Sequence, residues 1–358
     1  MSSSTIEKEI HVEFDKDFYR NKIHNFIVPT IDQFEKKLRS YAFFNLSFIV
    51  LIFVELIYFF VHLTFLLQTF VLAIHLALIF ATIFSYFTLR LYFQTYKREK
   101  LMKLCNEFVD ACRSELNELE GEPEYYCLTG QACCQLASEL HSKEYGIYRA
   151  PFWLKSVESL LEKFSCWCHW MDVHMMKEMC LQACVEEHIL FVRIAPTDLE
   201  AHAGLANAYV MLSGLYVDPR SIEGLDDDRW IPPQKYNEEF RSKFRLIAER
   251  AIEEFKILSD YAPNDPWVHI QLAYSYHDLQ MPQKEIKEYE TVLQLCPEDK
   301  ETLYKLGKLY FEQGHNAKGL QVYETLTKSN YKKAEDLIHF YGAYSNITIK
   351  PALLAEKT

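Results

Sequence analysis

The stretch KLGKLYFEQGHNAKGLQVY (residues 305–323) contains two runs of apolar residues at helical spacing. The first run carries a small residue, Gly307, and an aromatic residue, Tyr310. Gly314 separates it from a second run that ends at Tyr323. A glycine between two such runs is typical of a tight turn. The stretch therefore predicts two short helices joined by a turn at Gly314.

The same order of residues recurs at an offset of 34. LAYSY at 272–276 corresponds to LGKLY at 306–310, and Tyr289 in the following run corresponds to Tyr323. A further copy, LANAY, occupies 205–209. A fixed period of this size is the signature of repeat architectures, in which stacked helix pairs bury a face that no single pair buries alone. We therefore predict an all-α chain with an α-solenoid of helix pairs in its C-terminal part.

This pattern resembles the tetratricopeptide repeat (TPR) family, whose units are helix pairs with large–small–x–x–aromatic in the first helix. In that family the second helix carries a small residue and then an aromatic one, and a proline follows the helix. The units that the resemblance implies are 165–198 (degenerate), 199–263, 266–299 and 300–333, with a capping helix over 335–345. One unit departs from the pattern, because Glu285 stands where its small residue belongs.

In the TPR family the first helices line a concave groove that takes extended peptides or partner helices. The resemblance implies such a groove here, formed by these residues: Asn207, Trp267, Ile270, Gln271, Tyr274, His277, Tyr304, Lys305, Lys308 and Phe311. Some members hold a C-terminal carboxylate with a clamp of Lys and Asn. Here Ala203 and Glu301 stand where Lys is expected, which argues against that mode. Aromatic residues in the groove favour an apolar or aromatic partner segment. The alternative is that Tyr274 and Tyr304 pack within the solenoid.

One unit is interrupted by a long insertion. Between Tyr209 and Ala251 lie 41 residues, many more than a TPR unit has there. The extra segment, 216–236, is rich in turn formers and acids and predicts a loop. Its Asp226–Asp228 run raises a calcium site as an alternative, but the spaced oxygen ligands of a calcium loop are missing. An eroded repeat is a further alternative, which the prolines of the segment oppose.

Residues 41–89 form a long apolar run whose only formal charge is Glu55. A membrane-spanning helix needs about 20 apolar residues, so the run is long enough for two crossings. We expect helices at about 43–66 and 70–92, joined near Gln68. Cationic residues flank both ends, which places both flanks on the cytoplasmic side by the positive-inside rule. The run starts too late and is too long for a cleaved signal peptide. A buried, soluble helical hairpin is the alternative.

Three ionisable residues interrupt the apolar run: Glu55, His62 and His75. Folding the hairpin about Gln68 places His62 opposite His75, and Glu55 near Thr82. Ionisable residues are costly in lipid and default to a functional hypothesis. They serve as hydrogen-bonding groups between the helices, as a contact in a homo-oligomer, or as an ion or proton relay. Two helices alone are too few to enclose a path.

The flanking segments are also helical in pattern. Ile31, Phe34 and Leu38 lie on one face of an amphipathic N-terminal segment, and residues 101–119 continue the second membrane helix. The predicted organisation is an amphipathic cytoplasmic segment (1–40), a transmembrane helical hairpin (41–93), a helical region with degenerate repeats (94–195), a solenoid (196–345) that carries the loop 216–236, and a tail (346–358).

Eight of the ten cysteines lie between Cys112 and Cys184. Their cytoplasmic placement argues against a disulfide framework. A metal site would draw on these residues: Cys166, Cys168, His169, Cys180, Cys184 and His188. No pair has the CxxC spacing typical of structural zinc. In the TPR register part of this set shares the packing face, where cysteine behaves as a small hydrophobe. We therefore expect core packing and no metal, with a metal site and redox sensing as alternatives.

Charge and missing motifs argue against two classes of function. The chain has a formal charge of −12, and residues 104–358 carry −15, which disfavours binding to nucleic acid. The sequence has no Walker-type phosphate loop and no GxGxxG, HExxH or GxSxG motif. No nucleophile, base and orienting group come together in it. We expect neither catalysis nor a cofactor.

Together these features predict a membrane-anchored TPR scaffold that binds protein partners through its groove on the cytoplasmic face. A second hypothesis assigns the action to the hairpin, as part of an oligomeric transport, secretion or membrane-remodelling assembly that the solenoid regulates. The hairpin resembles in shape the bilobed hydrophobic hairpin of inclusion membrane proteins, which secretion systems of intracellular bacteria deliver. That resemblance rests on the hairpin shape and on SSST at 2–5. A zinc or redox protein is a third hypothesis.

Overall fold

The structure, a computed structural model, describes residues 16–62, 69–148, 157–221, 230–232 and 236–342. These residues form helices, short 3-10 turns and connecting segments, and they contain no strand. The helices are α1 (Lys16–Val61), α2 (Thr69–Glu115), α3 (Pro123–Glu139), α4 (Glu158–Ile194), α5 (Leu199–Gly214), α6 (Glu238–Tyr261), α7 (Pro266–Asp278), α8 (Pro282–Leu295), α9 (Lys300–Glu312), α10 (Asn316–Lys328) and α11 (Ala334–Leu337). The predicted all-α fold is confirmed.

The chain divides into two compact units. The hairpin unit consists of Met1–Pro196 and Gly214–Arg241, and the repeat unit of Thr197–Ser213 and Ser242–Thr358. The predicted turn near Gln68, the SSST start and the tail 346–358 lie outside the described residues.

Helices α1 and α2 form one long antiparallel hairpin. Lys22 pairs with Glu115 at 2.7 Å near one end, and the Thr82 hydroxyl donates to Glu55 at 2.8 Å nearer the other. In both pairs the two residue numbers add up to 137, so the register stays constant along the hairpin. The expected contact between Glu55 and Thr82 is thus confirmed.

Both hairpin helices are longer than a bilayer requires. With 46 and 47 residues, each extends about 70 Å, against about 30 Å for a hydrocarbon core. Each contains a stretch that is apolar and long enough to cross a membrane, and the large apolar side chains of 43–62 and 70–92 are mostly exposed. The helices run without interruption through the predicted boundaries at 40/41 and 93/94, because neither contains a helix breaker there. The predicted continuation of the second helix is confirmed to Glu115.

The other half of the hairpin is packed against protein. Ile31, Phe34 and Leu38, predicted to share one face, are all buried, as are Leu101 and Leu104 on α2. Helices α3 and α4 pack against each other and against this half. The apolar stripe of the N-terminal segment therefore belongs to the core of the hairpin unit.

The prediction of a degenerate repeat at 165–198 is wrong. A TPR unit needs a turn between two short helices, whereas α4 is one continuous helix of 37 residues. It contains neither glycine nor proline, so nothing in its sequence interrupts the helix. The small residue in that register, Cys184, is buried as expected, but it packs within a long-helix bundle.

The repeat unit shows the period of 34 in its helix boundaries. Helices α7 and α9 begin at Pro266 and Lys300, and α8 and α10 begin at Pro282 and Asn316. The caps repeat as well, since the side chains of Asp265 and Asp299 accept hydrogen bonds from backbone N–H groups of the first helical turn. An aspartate at this position satisfies amide groups that the helix itself leaves unpaired.

The turns inside the two helix pairs repeat too. Gly314 has φ +76°, and Gln280, which lies 34 residues earlier, has φ +56°. A left-handed residue at a helix C-terminus lets the following amide groups bond back to the helix. The amide groups of Met281 and His315 do so, each to the carbonyl of the preceding repeat tyrosine at 2.8 Å. The predicted turn at Gly314 is confirmed.

The end of the solenoid is shorter than predicted. Instead of a helix over 335–345, α11 spans Ala334–Leu337 and a 3-10 turn follows at Ile338–Phe340; residues 343–345 lie outside the described part. Leu337 is fully buried, and it lies where a side chain at Gly307 would be, within 3 Å of an added Cβ. One apolar turn therefore caps the last helix pair.

The loop 216–236 is described in part: residues 216–221 with a 3-10 turn at Pro219–Ser221, residues 230–232 and residue 236. Two of these residues are fixed to the hairpin unit. The Tyr216 hydroxyl donates to Glu178 at 2.7 Å, and the Tyr145 hydroxyl donates to the carbonyl of Trp230 at 3.2 Å.

Candidate partner-binding groove

The groove predicted on the repeat unit lies on the first helices of its pairs, α5, α7 and α9. Their apolar sides are buried in two clusters, one around Phe255 and Leu272 and one around Leu306 and Tyr310. The opposite sides carry the predicted residues. Asn207, Trp267, Tyr274 and His277 are exposed, and Ile270, Gln271, Tyr304, Lys305 and Lys308 are half-buried. Trp267 and Tyr274 each expose 39% of their surface, which is much for large aromatic residues in a solenoid.

Phe311 corrects the prediction. Its side chain is fully buried and fills the space beside Gly319, where an added Cβ would come within 2.5 Å of the ring. The equivalent residues 34 positions earlier are His277 and Glu285. There His277 Nδ1 lies 3.1 Å from a carboxylate oxygen of the buried Glu285. A glycine in the second helix thus admits a phenylalanine, whereas a glutamate is matched by a histidine at the surface.

The hydrogen bond to Glu285 raises the pKa of His277, against the opposing effect of partial burial. Asp278 beside it also has a raised pKa, because of burial and of the nearby Glu285. The acid at the small-residue position therefore contributes to the raised pKa of both side chains at the C-terminal end of α7.

The centre of the groove joins two helices through a lysine. Lys305 Nζ on α9 donates to the Tyr274 hydroxyl on α7 at 2.8 Å and lies 3.2 Å from Glu301. Burial opposes the charge of Lys305, but the bonds to Tyr274 and Glu301 outweigh it and raise the pKa of Lys305. The lysine is therefore charged and held in place, with the exposed face of Tyr274 beside it.

The far end of the groove is also built from aromatic rings and lysines. Tyr304 lies 6.2 Å from Tyr331, centroid to centroid, with Lys333 Nζ 5.9 Å from its ring. Lys308 Nζ lies 4.8 Å from the centre of Phe340. Tyr304 thus partly packs within the solenoid, as the alternative expected, while Tyr274 faces outward.

Sequence reasoning missed a pair of repeated polar contacts inside the solenoid. His202 Nδ1 lies 2.6 Å from Glu254, and His269 Nδ1 lies 2.7 Å from Glu288. The two histidines are equivalent in the repeat register, as are the two glutamates, and both histidines are buried. Each pair ties the first helix of a unit to its second. Their equivalent positions in the repeat register were the signal that could have revealed them.

The three ionisable residues of the hairpin gather towards its apolar end. Besides the contact between Glu55 and Thr82, the ring of Tyr58 lies 4.6 Å from His62 and 5.1 Å from His75. Glu55 Oε2 and His75 Nε2 are buried without a hydrogen-bond partner among the described residues. The structure thus places all three beside aromatic or hydroxyl side chains of the hairpin.

Most of the cysteines pack in the core of the hairpin unit, as predicted. Seven of the ten are buried, and burial raises the pKa of Cys166 to about 12. Cys105 Sγ lies 3.9 Å from Cys180 Sγ. Within the described ranges, no group of three or more His, Cys, Asp or Glu side chains is arranged to hold a metal ion.

Two ion pairs flank that cysteine contact. Lys97 Nζ lies 2.5 Å from Asp172, and Arg113 lies 2.5 Å from the buried Glu187. Asp172 also lies 3.2 Å from His169 Nδ1. These pairs join α2 to α4, and sequence analysis did not find them because their partners are 74 or 75 residues apart.

Comparisons with known proteins give matches among solved structures alone. No protein-family model matches the chain, and no curated protein matches it. Among solved structures, TTC0263, a thermophilic TPR protein in Thermus thermophilus, is similar with 16% identity, a TM-score of 0.33 and coverage of 69% of this chain and 98% of that one. MamA MSR-1 C2 is similar with 13% identity, a TM-score of 0.30 and coverage of 69% and 97%. At these scores the likeness carries no argument. The TPR-like assignment rests on the repeated boundaries, caps and turns of α7 to α10.

Proposed function

We propose that this protein is a membrane-anchored scaffold that binds partner proteins through the groove of its repeat unit. The hairpin spans the membrane twice, and both termini and the repeat unit lie on the cytoplasmic side. The groove takes an apolar or aromatic peptide or helix. The proposal assigns binding rather than catalysis, and it requires no cofactor.

The observation that carries the binding role is the exposed Tyr274 beside the half-buried Lys305. An aromatic face beside a fixed lysine offers apolar area and a hydrogen-bonding cation at low entropic cost, because the lysine is already held. Aromatic residues of this kind are enriched among the residues that dominate binding energy.

The membrane role is supported by the sharp change in exposure along the hairpin. Large apolar side chains such as Phe53, Phe60 and Phe80 are more than 60% exposed, which is far more apolar surface than a soluble monomer presents. The charged residues Arg90 to Lys103 follow directly after the second apolar stretch, as expected for a cytoplasmic flank.

A crosslinking pull-down from native membranes tests the groove. The variant Tyr274→Ala/Tyr304→Ala/Lys305→Glu should lose most of the partners that the wild type captures, while remaining in the membrane fraction after carbonate extraction. The matched control is Leu246→Ala/Tyr261→Ala, which alters two exposed residues of α6, a second helix outside the groove. An unchanged partner set in the groove variant would contradict the binding role.

The topology has its own test in Cys296, an exposed cysteine of the repeat unit. A membrane-impermeant maleimide should label it from the cytoplasmic side alone, and Cys296→Ser should abolish that labelling. Labelling of Cys296 from the opposite side would overturn the cytoplasmic placement.

A second candidate function is supported by two ionisable groups of the apolar run, because Glu55 Oε2 and His75 Nε2 have no hydrogen-bond partner among the described residues. In lipid, such groups are stabilised by polar partners on other helices. In an oligomeric transport or membrane-remodelling assembly, a second copy of the hairpin would supply these polar partners. Glu55→Gln/His75→Phe should then reduce crosslinked dimers in membranes, whereas under the scaffold proposal dimers are absent or unchanged.

A further inference from the structure

The first half of α4 carries an apolar stripe that the groove and the hairpin contacts do not explain. Leu160, Trp167 and Met171 are exposed by 68%, 54% and 43%, and Phe164 lies between them, half-buried. Their spacing of four, three and four residues puts all of them on one side of the helix. Such a contiguous stripe on a helix of the packed bundle marks an interaction surface.

The position of the stripe along the hairpin follows from the contacts between α2 and α4. Lys97 meets Asp172, and Arg113 meets Glu187; Cys105 meets Cys180 midway between them. The partners are separated by 75, 75 and 74 positions, so the two helices run parallel in constant register. By this register Trp167 lies level with Tyr92, and Leu160 with Ser85.

That level is the cytoplasmic edge of the second apolar stretch. Arg90 is the first cation after it. At 1.5 Å per residue, Leu160 lies about 8 Å to the apolar side of Arg90 and Met171 about 9 Å to the charged side. Helices that lie in a membrane interface bury their apolar face by about 5–10 Å. The stripe thus covers the depth where acyl chains meet headgroups.

We propose that the stripe Leu160–Phe164–Trp167–Met171 inserts into the cytoplasmic leaflet and forms a third membrane contact beside the two spans. The inference rests on the proposed membrane-spanning hairpin. Lipid is the occupant because the stripe continues an exposed apolar surface at the same level of α2, where Phe87 and Leu91 are exposed. Exposed tyrosines at 92 and 96 accompany it, and aromatic residues are enriched at this depth of a bilayer.

The charges on this part of α4 are compatible with that orientation. Glu158, Glu162 and Lys163 are exposed. At 100° per residue the two glutamates lie on the side of the helix opposite Leu160, whereas Lys163 lies at the edge of the stripe, where a long cationic side chain can extend to the headgroups. Ser165, by contrast, is buried, and its hydroxyl donates to the carbonyl of Glu144 at 2.6 Å. The stripe itself contains no ionisable group, so its insertion requires no buried charge.

The test uses the full chain in vesicles that contain phosphatidylcholine with a diazirine in its acyl chain. After irradiation, mass spectrometry locates lipid adducts. We expect adducts on peptides from 43–62 and 70–92 and also on the peptide 158–171. Leu160→Gln/Trp167→Gln should lower labelling of that peptide at least fivefold and leave labelling of the hairpin unchanged. Leu246→Gln/Trp267→Gln, which changes two exposed residues of the repeat unit, should alter neither.

The outcomes separate this inference from the proposed function. Labelled hairpin peptides without adducts on 158–171 would overturn the third contact and leave the membrane anchor intact. A protein crosslinked to 158–171 in native membranes, with no lipid adduct there, would also overturn it in favour of a protein partner. Absence of adducts from the hairpin peptides would overturn the membrane anchor, and the third contact with it.

Discussion

The repeat unit and the hairpin unit hold their helices together in different ways. In the repeat unit, α7 to α10 are helices of 13 to 14 residues. The two helices of a pair pack closely at one position, which holds Gly319 in α10 and, in α8, Glu285 beside His277. In the hairpin unit, helices of 37 to 47 residues are joined side by side, and charged pairs connect them in constant register. Glu187 in the second case is as well buried as Leu306 in the first.

This difference shows how each unit fixes the register of its helices. A short helix pair contacts its neighbours alone, so its register follows from the repeat and each defect stays local. A long helix that slides by one turn past another would keep most apolar contacts, but it would separate every charged pair. We infer that Lys97–Asp172 and Arg113–Glu187 fix the register of α2 and α4, as buried polar groups do in coiled coils.

The largest loss of stability is expected from a substitution that disrupts the apolar packing of the repeat unit. Phe311→Ala removes a fully buried ring and leaves a cavity beside Gly319, which should cost about 4 kcal/mol. Hydrogen exchange of the α9 and α10 peptides measures it, and protection should fall there more than in the hairpin unit. Leu320→Ala, which truncates an exposed side chain of α10, should cost less than about 0.5 kcal/mol. If both variants lower protection equally, Phe311 is a surface residue of the groove, as the sequence predicted, and not a core residue.

The next largest loss of stability is expected from a substitution that removes one partner of an ion pair in the hairpin unit. Arg113→Met leaves the buried Glu187 carboxylate without its partner and should cost about 3 kcal/mol, seen as lost protection in α2 and α4. Burial already raises the pKa of Glu187 against the opposing effect of Arg113, so the loss should be smaller in acid, where the carboxylate is protonated. Lys103→Met, which breaks the exposed pair with Glu107, is the matched control and should change little. If Arg113→Met is equally mild, the pair does not set the register.

The same comparison explains which features the sequence could predict. The period of 34, the turn at Gly314 and the buried Gly307 are local properties of a short motif, and all of them are found in the structure. The contact between Glu55 and Thr82 was also predictable, because a hairpin with a known turn has one register. Local pattern and chain geometry suffice in these cases.

The errors arise where a residue's neighbour lies on another helix. Phe311 has the register of a groove residue, but Gly319 on α10 gives it a space in the core. The predicted repeat at 165–198 failed because α4 packs along a long hairpin helix that supplies Asp172 and Glu187 with partners. The groove positions other than Phe311 are accessible in the structure, yet their role in binding stays a prediction.

A smaller effect tests how tightly the repeat unit is packed. Gly319→Ala would place a Cβ within 2.5 Å of the Phe311 ring, and overpacking should outweigh the gain in helix propensity by about 1 kcal/mol. Thermal unfolding followed by hydrogen exchange of α10 gives the measurement. Gly214→Ala is the control, because an added Cβ there meets nothing within 4 Å. A stabilised Gly319→Ala variant would show that the ring moves aside freely.

The smallest effect concerns the one helix pair that carries an acid at its small-residue position. Because the hydrogen bond to Glu285 raises the pKa of His277 above its usual 6.5, the pair stabilises the fold fully below that value. The contribution is lost as the pH rises through the pKa of the folded state. Asp278 and Glu312 add to the raised pKa. The His277 side chain is mostly exposed, so the effect should stay below about 1 kcal/mol.

Exchange of the α7 and α8 peptides should therefore accelerate as the pH rises above about 6.5, beyond the intrinsic pH dependence of exchange. His277→Gln and Glu285→Gln should each flatten this profile, and the double variant should flatten it no further. A wild-type profile without this slope would show that the surface histidine only covers Glu285, and that α7 and α8 depend on apolar contacts as α9 and α10 do.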